Sequence, residues 1–191
     1  KGGVAAVGRS PDDVLITPGL MPFVAPTRAE AEDQYDRLQG LVNPALGLGH
    51  LSGLMGWDLS KYPLDGPLPD PPATEGWQSR QKLCVDTARA ENLTIRQLMA
   101  KVVSARGHWV LVGSPVDIAD QMQDWFENGA ADGFNILPPI LPQGLDAFAQ
   151  LVVPELQRRG LFRKDYNGTT LRQHLGLRRP VPQRRVLQSA Q

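Results

Sequence analysis

Apolar positions in this chain recur with two different periods, and the change of period marks the elements. The pattern is sharpest from residue 108 onward. His108-Trp-Val-Leu-Val112 is a short apolar run that predicts a strand. Ser114 follows as an N-cap, Pro115 suits the first helical position, and Asp117 stands where a capping-box acid reaches back. Ile118, Ala119, Met122, Trp125 and Phe126 then form one apolar stripe at helical spacing. Asp117, Asp120, Gln121, Asp124 and Glu127 cover the other side, and Gly129 is the left-handed stop. Phe134-Asn-Ile-Leu137 is a second strand-like run. Strand, amphipathic helix and strand joined by tight turns predict a right-handed βαβ unit in a parallel sheet. Leu145, Phe148, Ala149, Val152 and Leu156 make a further helical stripe, in which Pro154 predicts a kink or restart before Gly160.

Upstream the pattern is more broken. Val4 to Gly8 reads as a helix end and Ser10-Pro-Asp-Asp13 as a turn. Val14-Leu-Ile-Thr17 is strand-like, and its apolar run continues to Val24. Pro18 and Pro22 argue against an ordinary central strand there, so a bulged one is expected. Thr27-Arg-Ala-Glu30 is a capping box, and Ala31, Tyr35, Leu38 and Val42 are the buried stripe of its helix, which Asn43-Pro44 ends. Pro44 to Gly56 is apolar but carries Gly47, Gly49 and Gly53, so a helix there needs tertiary packing. Trp57 to Ala73 holds Pro63, Pro67, Pro69, Pro71 and Pro72 and predicts an extended loop, ordered by its own aromatic and leucine side chains. Glu75 to Glu91 predicts a helix with Trp77, Gln81, Cys84 and Ala88 on one side. Thr94 caps another that buries Ile95, Leu98, Met99, Val102 and Val103 and stops at Gly107. Leu161 to Gln191 is a polar tail, with 169–173 as a short helix.

Composition narrows the class. Twenty basic and twenty acidic residues cancel, so no global field points to nucleic acid or an anionic membrane. A hydrophobic fraction of 41% suits a folded domain. No apolar run approaches the ~20 residues of a membrane span, and the first residues lack a signal peptide's apolar core. A lone cysteine, Cys84, allows no intrachain disulfide and fits a cytoplasmic setting. The chain begins at Lys1 in what reads as the tail of a helix. Three convincing strands cannot close a (β/α)₈ barrel of roughly 250 residues. The expectation is therefore the C-terminal part of a longer protein.

Residues that could carry chemistry are few. His50, His108 and His174 lack metal-site spacing, and no Gly-x-Ser-x-Gly elbow is present. Cys84 falls on an apolar helix side, where an inert thiol is expected. Gly113-Ser-Pro115 offers either an anion site at a helix N-terminus or, the plainer reading, an ordinary cap. The arginines of the tail, Arg172, Arg178, Arg179, Arg184 and Arg185, lack aromatic interleaving and read as a solvated or subunit-contacting surface.

Several blocks resemble a known family in the same order: "AVGRSPDDVLITPGLMPFVAPTRAEAEDQYDRL", "LSGLMGWDLSKYPLDGPLPD", and "GSPVDIADQMQDWFENGAADGFNILPPILPQGLDAFAQLVVPELQRRGLFRKDYNGTTLRQHLGLRRP". They resemble the flavin-dependent monooxygenases of the bacterial-luciferase-like superfamily, in the branch of nitrilotriacetate and dibenzothiophene-sulfone monooxygenases. The resemblance implies an α/β fold, the C-terminal part of a (β/α)₈ TIM-type barrel with an inserted Pro-rich loop and helices. Residues 1–160 would be barrel with an insertion at about 44–107. Residues 161–191 would be a tail on the barrel or on a neighbouring subunit of a homo-oligomer.

It implies reduced FMN as cofactor, delivered by a flavin reductase partner that uses NAD(P)H. Oxygen adds to give a peroxyflavin that oxygenates a small organic substrate, often with C–N or C–S cleavage. The phosphate grip on FMN is expected upstream of residue 1. Asn135, Leu137 and Pro138, near the end of a barrel strand, are expected near the flavin. His50 is the candidate proton donor, and Trp57, Asp58 and Tyr62 are expected to line the substrate pocket. A deazaflavin-dependent oxidoreductase of the same fold, or a non-catalytic barrel fragment acting as an interaction module, are the alternatives.

Overall fold

A computed structural model describes residues 2–105 and 107–177. Its centre is a parallel sheet of β1 (Gly19–Val24), β2 (Trp109–Gly113) and β3 (Asn135–Ile136), in the order β2-β1-β3. Helices flank it: α1 (Gly2–Ala6), α2 (Arg28–Gly40), α3 (Pro44–Met55), α4 (Gln78–Ala90), α5 (Ile95–Ala105), α6 (Pro115–Glu127), α7 (Gln143–Ala147), α8 (Val153–Arg158) and α9 (Leu171–His174).

β1 pairs with β2 from Leu20↔Trp109 to Val24↔Gly113, and with β3 through Gly19↔Asn135 and Leu20↔Ile136. The expected parallel relation of 108–112 and 134–137 is present, but the two runs are not neighbours. The connection out of β2 passes over β1, whereas an arc of consecutive barrel strands would follow chain order. β1 also starts later than its apolar run. Val14–Thr17 is extended but outside the ladder, where Ile16 N donates to Asp132 Oδ2 and Asp132 N to Ile16 O, each at 2.8 Å. That clasp aligns the approach to β1 with the approach to β3.

Pro22 lies inside the central strand, against the expectation that proline is kept out of one, and the register explains why it is tolerated. Asn135 N donates to Pro18 O and Leu137 N to Leu20 O, so every second residue from 18 turns toward β3. Pro22 continues that series at a level where β3 has already ended. Its missing N–H costs no ladder bond, and no bulge is needed.

Leu20 and Val24 project onto one face, where Ile118, Ala119 and Met122 of α6 and Phe148, Val152 and Leu156 close a core. Phe23, on the opposite pleat, meets Tyr35 of α2 edge-on, ring centroids 5.1 Å apart. Pro154 has the predicted effect in an unpredicted form. Residues Phe148–Val152 make a π-turn, with Val153 N donating to Phe148 O, between α7 and α8. Phe126, read as part of the buried stripe, is 51% exposed. It borders a groove beside β3 that Phe134, Phe148 and Leu175 also line.

The second core contains no strand. Leu51, Leu54 and Met55 of α3, Cys84, Val85 and Ala88 of α4, and Ile95, Leu98, Met99 and Val102 of α5 bury one another. Glycine-rich α3 is held by that packing and by its caps. Asn43 Oδ1 accepts from Ala45 N and Leu46 N, and Gly56 closes the helix at φ 63°. Asn43-Pro44, read as a stop, is thus the start of the next helix. Trp77, expected on the buried side of α4, precedes it and is 67% exposed, because the apolar face begins a turn later.

The proline-rich segment 57–73 is a strap fastened to this core. Leu59 is fully buried, and Trp57 packs edge-on to Tyr62 at 5.1 Å. Gln81 Nε2 donates to Met55 O at 2.9 Å and to Pro72 O at 3.1 Å, holding both ends. Ile95 N and Arg96 N donate to Gly66 O and Leu64 O, and Arg96 pairs with Asp65 at 2.7 Å. Among the described residues no helix is long and apolar enough to cross a membrane. Tail arginines 178, 179, 184 and 185 lie outside the described residues.

Candidate functional site at the carboxyl edge of the sheet

A parallel sheet gathers the strand-to-helix turns at one edge, which is where such folds place their chemistry. β1 leads through Ala25-Pro26 to Thr27, the N-cap of α2, and β2 leads through Gly113 to Ser114, the N-cap of α6. Both caps are reciprocal. Thr27 Oγ1 accepts from Glu30 N at 3.3 Å while Glu30 Oε2 accepts from Thr27 N at 3.0 Å. Asp117 Oδ2 accepts from Ser114 N at 2.8 Å and from Ser114 Oγ at 2.7 Å, and Asp117 N donates to Ser114 Oγ at 3.3 Å.

The two caps are joined by an ion pair, Arg28 Nη2 to Asp117 Oδ1 at 2.9 Å. The Ser114 hydroxyl above all, then its amide and the Arg28 guanidinium, hold the Asp117 carboxyl below the usual carboxylate range. Gly113 has no room for a side chain, since a Cβ there would stand 2.7 Å from Asp117 Cβ. The N-terminus of α6 therefore already holds a carboxylate, and a second anion is disfavoured there. Gly113-Ser-Pro115 is an ordinary cap.

Leu137 and Pro138 leave β3 toward the same edge, both half-buried, with Leu137 N donating to Leu20 O at 2.8 Å. Asn135 is elsewhere. It opens β3 at the amino edge, and its Nδ2 donates to Thr17 O at 3.0 Å. The side chain expected beside a flavin fastens the entry of two strands instead, because β3 is shorter than its apolar run and Asn135 is its first residue.

The other candidates belong to the helical core. His50 is exposed on α3, in a shallow groove with Val42, Leu46 and Val103. Asp58 is exposed; its Oδ1 accepts from Ser60 N at 2.9 Å, and that bond lowers its carboxyl pKa. Trp57 and Tyr62 face each other and α3. So the candidates divide between two cores: Leu137 and Pro138 with the sheet, His50, Trp57, Asp58 and Tyr62 with the helices. His174 packs on Tyr166 at 4.3 Å and sits 2.7 Å from Gly168 O through Nε2. Cys84 is buried, which raises its thiol pKa and keeps it protonated. No metal-holding cluster occurs among the described residues. The Arg28–Asp117 pair escaped the sequence reading. Both capping boxes were visible, but their contact depends on β1 and β2 being neighbours.

A small parallel sheet with capped helix starts at its carboxyl edge, and a helical insertion between its first two strands, defines an α/β unit. Comparison with known proteins supplies relatives: along nearly its whole length the chain is similar to monooxygenases of the luciferase-like family. It is 50% identical over 182 residues to nitrilotriacetate monooxygenase component A of Aminobacter aminovorans, covering 94% of this chain and 40% of that protein. It is 48% identical over 184 residues to N-acetyl-S-(2-succino)cysteine monooxygenase of Bacillus subtilis (strain 168), covering 95% of this chain and 42% of that protein. The solved structure of DmoA from Hyphomicrobium sulfonivorans matches at a TM-score of 0.75 and 29% identity, over 91% of this chain and 36% of that one. The chain thus spans about two fifths of the length of the curated relatives it matches. No family model matches it.

Proposed function

We propose that this chain forms part of a two-component flavin-dependent monooxygenase acting on a small organic substrate. The observation that carries the reading is 48–50% identity to monooxygenases along nearly the whole chain, on a parallel sheet whose two longer strands, β1 and β2, end together at one edge. Reduced FMN, supplied by an NAD(P)H-dependent reductase, would provide the activation of O₂.

The described residues fit that cofactor only in part. Leu137 and Pro138, half-buried where the chain leaves β3, are apolar and would suit lying against a ring and excluding water. The start of α6 is occupied by Asp117 and offers no phosphate grip, and within the proposal the grip is expected upstream of residue 1. Within the proposal, Arg28 and Asp117 hold the two turns in register, and the strap presents Trp57 and Tyr62 as a rigid shelf rather than a free lid. The two relatives named above, almost equally similar, act on a succinylated cysteine and on nitrilotriacetate, so similarity does not select the substrate.

The test compares this chain with a protein extended to the length of its relatives. The chain alone is expected to bind FMN weakly or not at all. The extended protein is expected to bind FMN reduced by a flavin reductase and NADH and to slow its oxidation by O₂ to hydrogen peroxide, which free reduced flavin undergoes unaided. Trp57→Ala or Tyr62→Ala in the extended protein should raise the share of O₂ released as hydrogen peroxide. An extended protein that binds no reduced FMN and leaves its oxidation by O₂ unchanged overturns the reading.

A further inference from the structure

Asn-Gly occurs at two places in the chain, Asn128-Gly129 and Asn167-Gly168. In this dipeptide the glycine nitrogen can attack the asparagine side-chain carbonyl, because glycine sets no Cβ beside the attacking atom. Both asparagines are exposed, so access of water does not distinguish them. Their hydrogen bonds do.

Asn128 is the C-cap of α6. Its Nδ2 donates to Asp124 O and to Asp124 Oδ1, each at 2.9 Å, and Gly129 N donates to Phe126 O at 3.1 Å. Attacking nitrogen and leaving amide are both held, and ring closure has to break those bonds first. Asn167 lies outside helix and strand, shortly before α9. Among the described residues nothing hydrogen-bonds its side chain or the Gly168 N–H.

The surroundings of Asn167 are nonetheless fastened. Gly168 O lies 2.7 Å from His174 Nε2, and the same imidazole packs on the Tyr166 ring at 4.3 Å. His174 therefore bridges the Asn167–Gly168 linkage, touching the residue on each side of Asn167. Thr169 N and Thr170 N donate to Gln173 Oε1 at 2.9 and 3.2 Å, which anchors the chain just beyond.

We propose that Asn167 is a site of spontaneous deamidation and isoaspartate formation, and that Asn128 is protected from it. Gly168 N, giving up its proton, bonds to Asn167 Cγ; the Cγ–Nδ2 bond breaks and the amide leaves as ammonia. Water then opens the cyclic imide at one of its two carbonyls, which yields aspartate or isoaspartate. In isoaspartate the main chain runs through Cβ and Cγ and is longer by one carbon–carbon bond, about 1.5 Å. A hydrogen bond of 2.7 Å and the ring contact do not both survive that insertion, so His174 keeps Tyr166 or Gly168 but not the two together. His174 and Leu175 line the groove beside β3, and its wall loosens as the protein ages.

The test incubates the 191-residue chain in mildly alkaline buffer, folded and in urea. Each Asn-Gly peptide is followed by mass spectrometry, and its isoaspartate is counted with a protein isoaspartyl methyltransferase. In the folded chain Asn167 is expected to convert at least about tenfold faster than Asn128, and in urea the two rates should converge. Asn167→Gln should abolish conversion at that site. In the separated isoaspartate form the ring resonances of His174 should shift further than in Asn167→Asp, which carries the same charge on an unlengthened backbone. Equal rates at the two sites of the folded chain, or a slower Asn167, would overturn the assignment. An isoaspartate form that moves His174 no further than Asn167→Asp does would overturn the bridging role.

Discussion

The sheet core and the helical core bury the same kinds of side chain, but contacts of different range close them. Leu20 reaches Trp109 and Ile136 across the ladder, and its core is completed by Phe148 and Val152, so every wall comes from a distant part of the chain. The helical core lies wholly within residues 48–103, with helices joined in chain order and a strap that returns to them. Close packing runs within each set, and the seam between them is open enough to leave a cavity. The local core can therefore form on its own, whereas the sheet needs both ends of the described chain in place. Leu98→Ala and Leu20→Ala each remove a side chain with no exposed surface and should cost about 2–5 kcal/mol. They differ in reach. By hydrogen exchange, Leu98→Ala is expected to release α3–α5 and the strap while the amides of Leu20–Val24 stay protected. Loss of protection in β1 by that variant would make the two cores one cooperative unit.

That difference in range also explains what could be read from sequence. Helix starts at Thr27, Ser114 and Thr94 were visible because a cap is a contact over three residues. Ile118, Met122, Leu98 and Val102 were assigned to buried faces because period alone decides them. Pro22 was misjudged because its tolerance depends on where β3 stops, more than a hundred residues away. Asn135 was placed at the wrong edge for the same reason: a two-residue strand inside a four-residue apolar run has no local mark of its beginning. The order β2-β1-β3 is a choice among distant partners that tight turns do not encode. The family resemblance came from blocks of residues and did not depend on these placements. The candidate site residues did depend on them, and they fell into two groups.

Glycine sharpens the comparison at the next level of effect. Gly113 sits under Asp117, so Gly113→Ala forces the capping carboxylate aside and is expected to cost about 1–3 kcal/mol. Gly49 and Gly53 lie inside α3 with nothing within 4 Å of an added Cβ. Alanine at either should stabilise the helical core by about 0.5–1 kcal/mol, since helical alanine leaves fewer unfolded conformations to lose. Opposite signs in thermal melts are the expected outcome. A destabilising Gly49→Ala would mean that α3 is not an unstrained helix in solution.

The smallest effect is electrostatic, and it separates the cores by pH. Glu155 of α8 accepts from Arg158 Nη2 at 2.6 Å and from Arg159 Nε at 2.7 Å, and Arg159 Nη1 reaches Asp120 of α6 at 2.7 Å. The hydrogen bonds from Arg158 and then Arg159 hold the Glu155 carboxyl down to about 2. In the helical core Arg96 lowers Asp65 in the same way. For a depressed carboxyl the contribution is complete above its ordinary unfolded value, about 4.3 for glutamate, and is lost as pH falls through the folded value. Wild-type stability should therefore decline between about pH 5 and pH 2 with a slope that Glu155→Gln reduces. Asp65→Asn should reduce it as well, but in the unfolding of α3–α5 rather than of β1. Asp65 and Arg96 are exposed whereas Glu155 and Arg159 are largely covered, so about 1 M salt should shrink the difference between wild type and variant more for Asp65→Asn than for Glu155→Gln. If Glu155→Gln flattened the acid limb of the helical core too, the α6–α8 tie would have to act across the seam, and the independence of the two cores would fail.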